Sequence, residues 1–243
     1  MSVLSAAETL RAAMTPYPAA APVGPAAFIL DPLDYAWDLH RAYIERYAPA
    51  GHRVEALFLG MNPGPWGMAQ SGVPFGEVNL VRDFLGLDGA VGAPERTHPK
   101  RPILGLDCPR SEVSGRRLWG TVAERFESPE AFFKRFYVAN YCPLVFQSKT
   151  GANVVPKKMP SEFMEPILEA SSVHLAALIE ALQPQTVIGV GRWAERCARE
   201  VADAHGLDVQ VGTVLHPSPA SPAANRGWAE QALRQLETLG HPW

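Results

Sequence analysis

The sequence predicts an α/β fold in three layers, α/β/α, built on a central four-stranded parallel sheet. Four short apolar runs read as buried strands: Val54 to Leu59, Phe136 to Ala139, Thr186 to Val190 and Val209 to Leu215. Most are β-branched, and each is bounded by Gly, Pro or Asn. Segments with helical spacing lie between them, and strands alternating with helices give a parallel sheet covered on both faces. With 243 residues, 47% of them hydrophobic and 19% charged, the chain can bury a sizeable core and is not intrinsically disordered.

In chain order, residues 1–30 are rich in Ala and Pro. Ser5 to Met14 suits a short helix, and PYPAAAPVGPAA reads as a loop, so an N-terminal arm over about residues 1–30 is expected on one domain spanning 1–243. Leu33, Ala36, Trp37, Leu39 and Tyr43 recur at helical spacing, which predicts a helix over Pro32 to Tyr47. Ser128 is a helix start before PEAFFKRF. Further helices are expected at Met164 to Leu182, stopped by Pro184, at Trp193 to His205, closed by Gly206, and at Ala223 to Leu239, closed by Gly240.

Several classes are excluded. No apolar run reaches the length of about 18 residues that marks a membrane span. The start, MSVLSAAETLRAAM, has no basic lead and no apolar core, so secretion is not expected; a cytoplasmic location is, or a nuclear one in a eukaryotic cell. Cys108, Cys142 and Cys197 are far apart and form no CxxC pair, which fits a reducing compartment. His98, His174, His205 and His241 are scattered without metal-ligand spacing, and no metal or organic cofactor is expected. Net charge is −3, yet residues 96–117 carry six basic side chains against Asp107 and Glu112. That stretch is either an anion-binding face or a solvated loop.

Ligands of open α/β sheets bind beyond the carboxyl ends of the strands. The first strand runs into GMNPGPWGMAQSGVPFG, the second into NYCP, the third into GVGRW and the fourth into LHPSP, so Asn62, Asn140, Arg192 and His216 sit at the exits. The first loop lacks both the GK[ST] of a phosphate loop and a GxGxxG fingerprint. Its glycines suit a rigid connection or a close approach to a ligand, and its place after a buried strand favours the ligand. Asn62 is no base near neutrality but can orient a water; it is also an ordinary Asn-Pro turn former. An amide such as Asn140 offers a donor and an acceptor side by side, the complement of uracil O4 and N3–H, although a lone asparagine at a strand end more often caps backbone. His216 suits an oxyanion donor, or a packed structural residue. Phe75 suits stacking on a planar base, or the core.

Taken together, GMNPGPWGMAQSGVPFGEV (60–78), RPILGLDCPRSEVSGRRLWG (101–120), NYCPL (140–144) and HPSPASPAANRGW (216–228) resemble the single-strand-selective monofunctional uracil-DNA glycosylase family of the uracil-DNA glycosylase superfamily. The resemblance covers roughly Leu57 to Trp228 and implies a uracil-DNA glycosylase-like fold. It implies a monofunctional enzyme that starts base excision repair by releasing uracil, and tolerates polar 5-substituents such as hydroxymethyl, in single- and double-stranded DNA. Asn62 then positions the attacking water and His216 stabilises charge at uracil O2. Gly60, Met61, Gly64, Met68, Phe75 and Asn140 form the base pocket, with Phe75 stacking, Asn140 reading the base edge, and Gly64 with Met68 sensing the C5 side.

Arg116, Arg117, Lys157 and Lys158 are the expected phosphate contacts. Ser218, Pro219, Ala220, Asn225 and Arg226 belong to the segment that enters the helix. Animal members carry an arginine where this chain has Ala220, which favours single strands. No lysine sits in these motifs to form a Schiff base, so strand cleavage is not expected. The expected partner is uracil-containing DNA, bound by a monomer away from any membrane. Two rivals stand beside this reading: a same-fold glycosylase for xanthine or hypoxanthine, and a non-catalytic DNA-binding module.

Overall fold

The computed structural model describes all residues, 1–243. Its first half contains α1 (Val3–Met14), β1 (Phe28–Leu30), α2 (Pro32–Tyr35), α3 (Trp37–Tyr47), β2 (Ala56–Gly60), α4 (Met68–Ser71), α5 (Val78–Asp83) and α6 (Val113–Arg125). The second half contains α7 (Pro129–Phe133), β3 (Phe136–Asn140), β4 (Val145–Gln147), β5 (Asn153–Val154), α8 (Ser161–Leu182), β6 (Thr186–Val190), α9 (Arg192–His205), β7 (Gln210–Val214), α10 (Pro222–Asn225) and α11 (Trp228–Thr238).

The central sheet has the order β3-β2-β6-β7 and is parallel throughout. Two glycines show how it is covered. Gly189 has no room for a Cβ because the backbone of Glu195 in α9 lies there. A Cβ on Gly212 would come within 2.6 Å of Leu239, just beyond α11. Gly212 pairs with Ile188, the residue before Gly189, and successive residues of a strand face opposite ways. Helices therefore lie on both faces, in the three layers expected. Strands β2, β3 and β6 are buried along their whole length, as apolar parallel strands between helices should be. The largest fully buried side chains include Trp119, Tyr43, Tyr47, Phe58, Phe132 and Phe136.

Several expectations need correction. The helix expected over Pro32 to Tyr47 is broken at Ala36 (φ −115°), and the break brings the Ala36 carbonyl against Gly72, whose Cβ would lie 2.6 Å from it. The last helix is split at Gly227, which has φ +109° and separates α10 from α11. Helix α6 begins in the basic stretch, where the sequence predicts no helix; its buried face includes Ser114, Gly115 and Thr121, which blunt the apolar period. A second, antiparallel sheet, β1-β4-β5, was not anticipated either, because each of its strands has only two or three residues.

The arm expected over residues 1–30 is packed into the body. Helix α1 is closed at its start by a capping box between Ser2 and Ser5 and lies along α8. Val3 and Ala7 enter the main core, Leu10 and Met14 a second one, and β1 pairs with β4. Met14 is fully buried, so Met14→Ala should lower the unfolding free energy by about 2–5 kcal/mol, read from urea midpoints at constant slope. An unchanged midpoint would place α1 outside the cooperative unit.

Candidate active site

The carboxyl edge of the central sheet opens into a cavity of about 370 Å³, the size of a small-molecule site. The first strand of the sheet, β2, lies between the second, β3, and the third, β6. The chain thus reverses its direction across the sheet there, and such switch points are where ligands settle.

Beyond their ends β2 and β3 stay zipped: Tyr141 N donates to Gly60 O and Cys142 N to Met61 O, both at 2.9 Å. This register sets Gly60 beside Asn140. A Cβ on Gly60 would run into the Asn140 carboxamide oxygen and come within 2.7 Å of the Phe75 ring, so only glycine lets all three meet. Asn140 is 9% exposed, and its Nδ2 donates to Met68 Sδ at 3.1 Å. A thioether is a weak acceptor, so the contact orients the amide yet yields to a better partner.

Phe75 has φ +53°, outside the range ordinary for a bulky residue, and such strain concentrates at functional sites. Its turn is held by Gly76 N to Val73 O (2.8 Å) and Glu77 N to Phe75 O (2.7 Å). Helix α6 packs directly on that turn, where Gly115 leaves space for the Phe75 carbonyl. The Phe75 ring lies 6.2 Å from the His216 ring.

Asn62 donates Nδ2 to Leu144 O at a long 3.4 Å, while its Oδ1 is buried without a partner. A buried acceptor left unmade is costly, and Asn62 is one of the residues that line the cavity. His216 follows β7 and packs on Gly191, whose Cβ would stand 3.1 Å from that of His216. Its Nδ1 is also buried and unpartnered. Burial pushes the imidazole down to about 4, so it is neutral at pH 7.

Met61, Asn62, Gly64, Phe75, Asn140 and His216 all line the cavity; Met68 and Gly60, expected in the base pocket, do not line it, and each touches Asn140 instead. Arg192, at the remaining strand exit, starts α9 and does not line the cavity. Ser218 and Pro219 line its mouth, and Ala220 is exposed next to them.

Arg116, Lys157, Lys158 and Arg226 are exposed and make no ion pair. Arg117 and Asn225, also expected at the DNA face, bond within the chain. The Arg117 guanidinium donates to Pro217 O (3.0 Å), Ser218 O (3.3 Å) and Asn225 Oδ1 (2.9 Å), and Asn225 Nδ2 donates to Pro219 O (2.9 Å). Both brace the loop after His216.

Sequence reasoning missed several lining residues, Trp66 and Glu112 among them. Trp66 carries the guanidinium groups of Arg101 and Arg110 over its ring at 4.7 and 5.0 Å. An aromatic within the glycine loop and a basic stretch elsewhere were its only traces. Glu112, counted only as a charge, also lines the cavity, with Oε2 buried and unpartnered. No three His, Cys, Asp or Glu side chains gather into a metal-binding group.

Comparison with known proteins identifies the family. A family model described as "Uracil DNA glycosylase superfamily" matches residues 49–237. A rat protein named "Single-strand selective monofunctional uracil-DNA glycosylase" is 48% identical over 216 residues, covering 89% of this chain and 77% of its own. A cattle protein named "Single-strand selective monofunctional uracil DNA glycosylase" is 48% identical over 212 residues, covering 87% of this chain and 77% of its own. The chain belongs to the single-strand-selective monofunctional uracil-DNA glycosylase family. A crystal structure titled as Pedobacter heparinus SMUG2 shares the fold, with a TM-score of 0.59 at 17% identity over 87% of this chain and 88% of that one.

The neutrality of His216, a member of this family's candidate site, can be measured. Its imidazole should titrate below pH 5 by NMR, against an unperturbed value near 6.5. Because the folded pKa is depressed, the unfolded chain binds the proton more tightly. Stability should therefore fall as pH drops from about 6.5 toward 4. A titration near 6.5 would mean that the ring is solvated.

Proposed function

We propose that this protein hydrolyses the N-glycosidic bond between uracil and deoxyribose in DNA and leaves the strand uncut at an abasic site. The observation that carries the reading is the buried, unpartnered Oδ1 of Asn62, lining one cavity with the Asn140 amide and a neutral His216. The names of the rat and cattle relatives support it.

The bond to be broken is inaccessible in a stacked duplex, so the nucleotide must swing out, at a cost of a few kcal/mol that is least for single strands. The base slides onto the Phe75 ring. Asn140 donates Nδ2 to O4 and accepts N3–H at Oδ1, exchanging its weak sulfur contact for two good hydrogen bonds. Cytosine presents the opposite pair and leaves both groups unmatched, at about 1–3 kcal/mol each. As the bond from C1′ to N1 breaks, its electron pair stays with the base. The sugar becomes cationic, and His216 donates to the anionic O2, a contact of a kind worth about 2.7–4 kcal/mol. Asn62 Oδ1 accepts one hydrogen of a water and aims its oxygen at C1′. The water adds and sheds a proton to solvent, and the base anion takes one up. No metal or organic cofactor enters this scheme, and no lysine lines the cavity to form a covalent link.

The finer substrate range follows the same reading. At Gly64 the Glu112 carboxyl lies where a side chain would stand, and this polar wall supports tolerance of a small polar 5-substituent such as hydroxymethyl. Exposed Ala220 is a weak wedge, which favours single strands while double strands remain substrates. One chain carries every group invoked, and we propose that it acts as a monomer.

Two experiments test these points. Asn62→Ala should bind a uracil-containing oligonucleotide normally yet slow base release by about a hundredfold or more, scored as alkali-labile sites. Normal release by that variant removes Asn62 from the mechanism, and no release by the wild type leaves a DNA-binding module. A panel of xanthine and hypoxanthine oligonucleotides separates the nearer rival. On the DNA face, Arg116→Ala should reduce the salt slope of single-strand binding by about 0.7. Arg117→Ala should leave that slope alone and lower the melting temperature instead.

A further inference from the structure

Glu112 is the N-cap residue of α6, but its carboxyl makes no capping bond to that helix. It turns toward the loop between β2 and α4. A Cβ on Gly64 would strike Oε1 and one on Gly67 would strike Oε2, so the loop is glycine at both places where the carboxyl lies against it. Oε2 is buried without a partner, as is the neighbouring Ser111 Oγ. Glu112 shares its cavity with Asn62, Phe75, Asn140 and His216.

No opposite charge meets this carboxyl. The loop 60–76 has no titratable residue. Glu77, at the end of that loop, is a like charge. Arg110, on its own segment, and Arg101 both lie over the Trp66 ring without an ion pair to Glu112, and Arg116 is exposed on α6. Across the cavity His216 is neutral at pH 7. A buried carboxylate without a counter-ion is unstable. Burial first, and Glu77 second, lift the Glu112 carboxyl to about 7.

We propose that Glu112 is a further catalytic residue, whose uncharged carboxyl donates a hydrogen bond to a carbonyl oxygen of the bound base. The proposal rests on the uracil-glycosylase reading. Glu112 keeps its proton throughout: the electron pair of the broken C1′–N1 bond passes to the base, and the hydrogen bond spreads the resulting charge. Carboxylic acids kept neutral by apolar surroundings serve as oxyanion donors in other enzymes. Once ionised, Glu112 has no hydrogen to offer and places a second negative charge beside the leaving anion.

Single-turnover uracil release between pH 5.5 and 8.5 tests this. The wild-type rate should decline above about pH 7, approaching tenfold per unit. Glu112→Gln, neutral at every pH and still a donor, should match the wild type within a few-fold at pH 6. It should hold that rate to pH 8.5 and overtake the wild type there by about tenfold. Glu112→Ala should lose about tenfold or more at pH 6. A Gln profile that superimposes on the wild type, a wild type with no alkaline decline, or an Ala variant at full rate each overturns the proposal.

Thermal melting gives a readout without activity. A folded pKa raised above the unfolded one confers stability that is full at low pH and lost as pH rises through about 7. Glu112→Gln should therefore melt with the wild type near pH 4.5 and above it at pH 8. Equal melting at both values shows a solvated carboxyl and overturns the proposal. If the melting difference appears but the wild type releases no uracil, the glycosylase reading has failed and the proposal falls with it. If uracil is released and only the pH arms fail, Glu112 alone is misassigned.

Discussion

The site depends on one close approach, the Asn140 carboxamide occupying the volume that a side chain on Gly60 would need. Parallel pairing of β2 with β3 puts these residues side by side, and two hydrogen bonds beyond the strand ends hold the register. A slip of one residue would turn Asn140 to the other face of the sheet. The Phe75 ring closes on the same glycine from the first loop. The Asn140 amide and the Phe75 ring are thus positioned by backbone packing before any ligand arrives. Preorganisation of that kind removes an ordering cost from binding.

The loop that carries Asn62 and Phe75 is rigid for the same reason. Gln70, fully buried, donates to Pro65 O and Pro102 O at 3.0 Å each and accepts from Leu104 N at 2.8 Å. Ser71 donates to Gly76 O, Trp119 to Pro74 O, and the His40 ring nitrogen bonds Gly72 O. Loop carbonyls that water would otherwise solvate are satisfied by buried side chains from α3, α6 and the loop itself. The strained φ of Phe75 is tolerated because these contacts leave the turn no alternative.

Much of this was legible in the chain. Short β-branched runs between helical segments are enough to give the parallel sheet, and the rule for strand exits picks out Asn62, Asn140 and His216. What was hidden is tertiary. Gly64 and Gly67 looked like glycines for close ligand approach, but the carboxyl that lies against them comes from Glu112, far along the sequence. Arg117 and Arg116 are adjacent, yet one faces the loop after His216 and the other faces solvent, a distinction that requires knowing α6 is a helix. The buried face of α6 is made of small and polar residues that follow the shape of the Phe75 turn, so its apolar period is weak. The Ala-rich start looked like an arm because alanines give little hydrophobic signal, though they let α1 lie close to α8.

The electrostatic plan explains why position 62 is an amide. The pocket lining includes the carboxamides of Asn62 and Asn140, a neutral imidazole and the Glu112 carboxyl, which has no counter-ion, while unpaired cations stand outside it. Inside, a fixed charge would be opposed by low polarizability, and outside, water screens it. The neighbour of Asn62 is the Leu144 carbonyl, an acceptor. A carboxylate at 62 would set oxygen against oxygen there and bury a charge with no counter-ion. An alanine would leave the carbonyl and the water unheld. Only a side chain with a donor on one branch and an acceptor on the other satisfies Leu144 and still presents a free oxygen to a water. Asparagine at this length of reach is that side chain, and the reaction proposed above is compatible with it because there the leaving base, rather than a strong base on the enzyme, carries the developing negative charge.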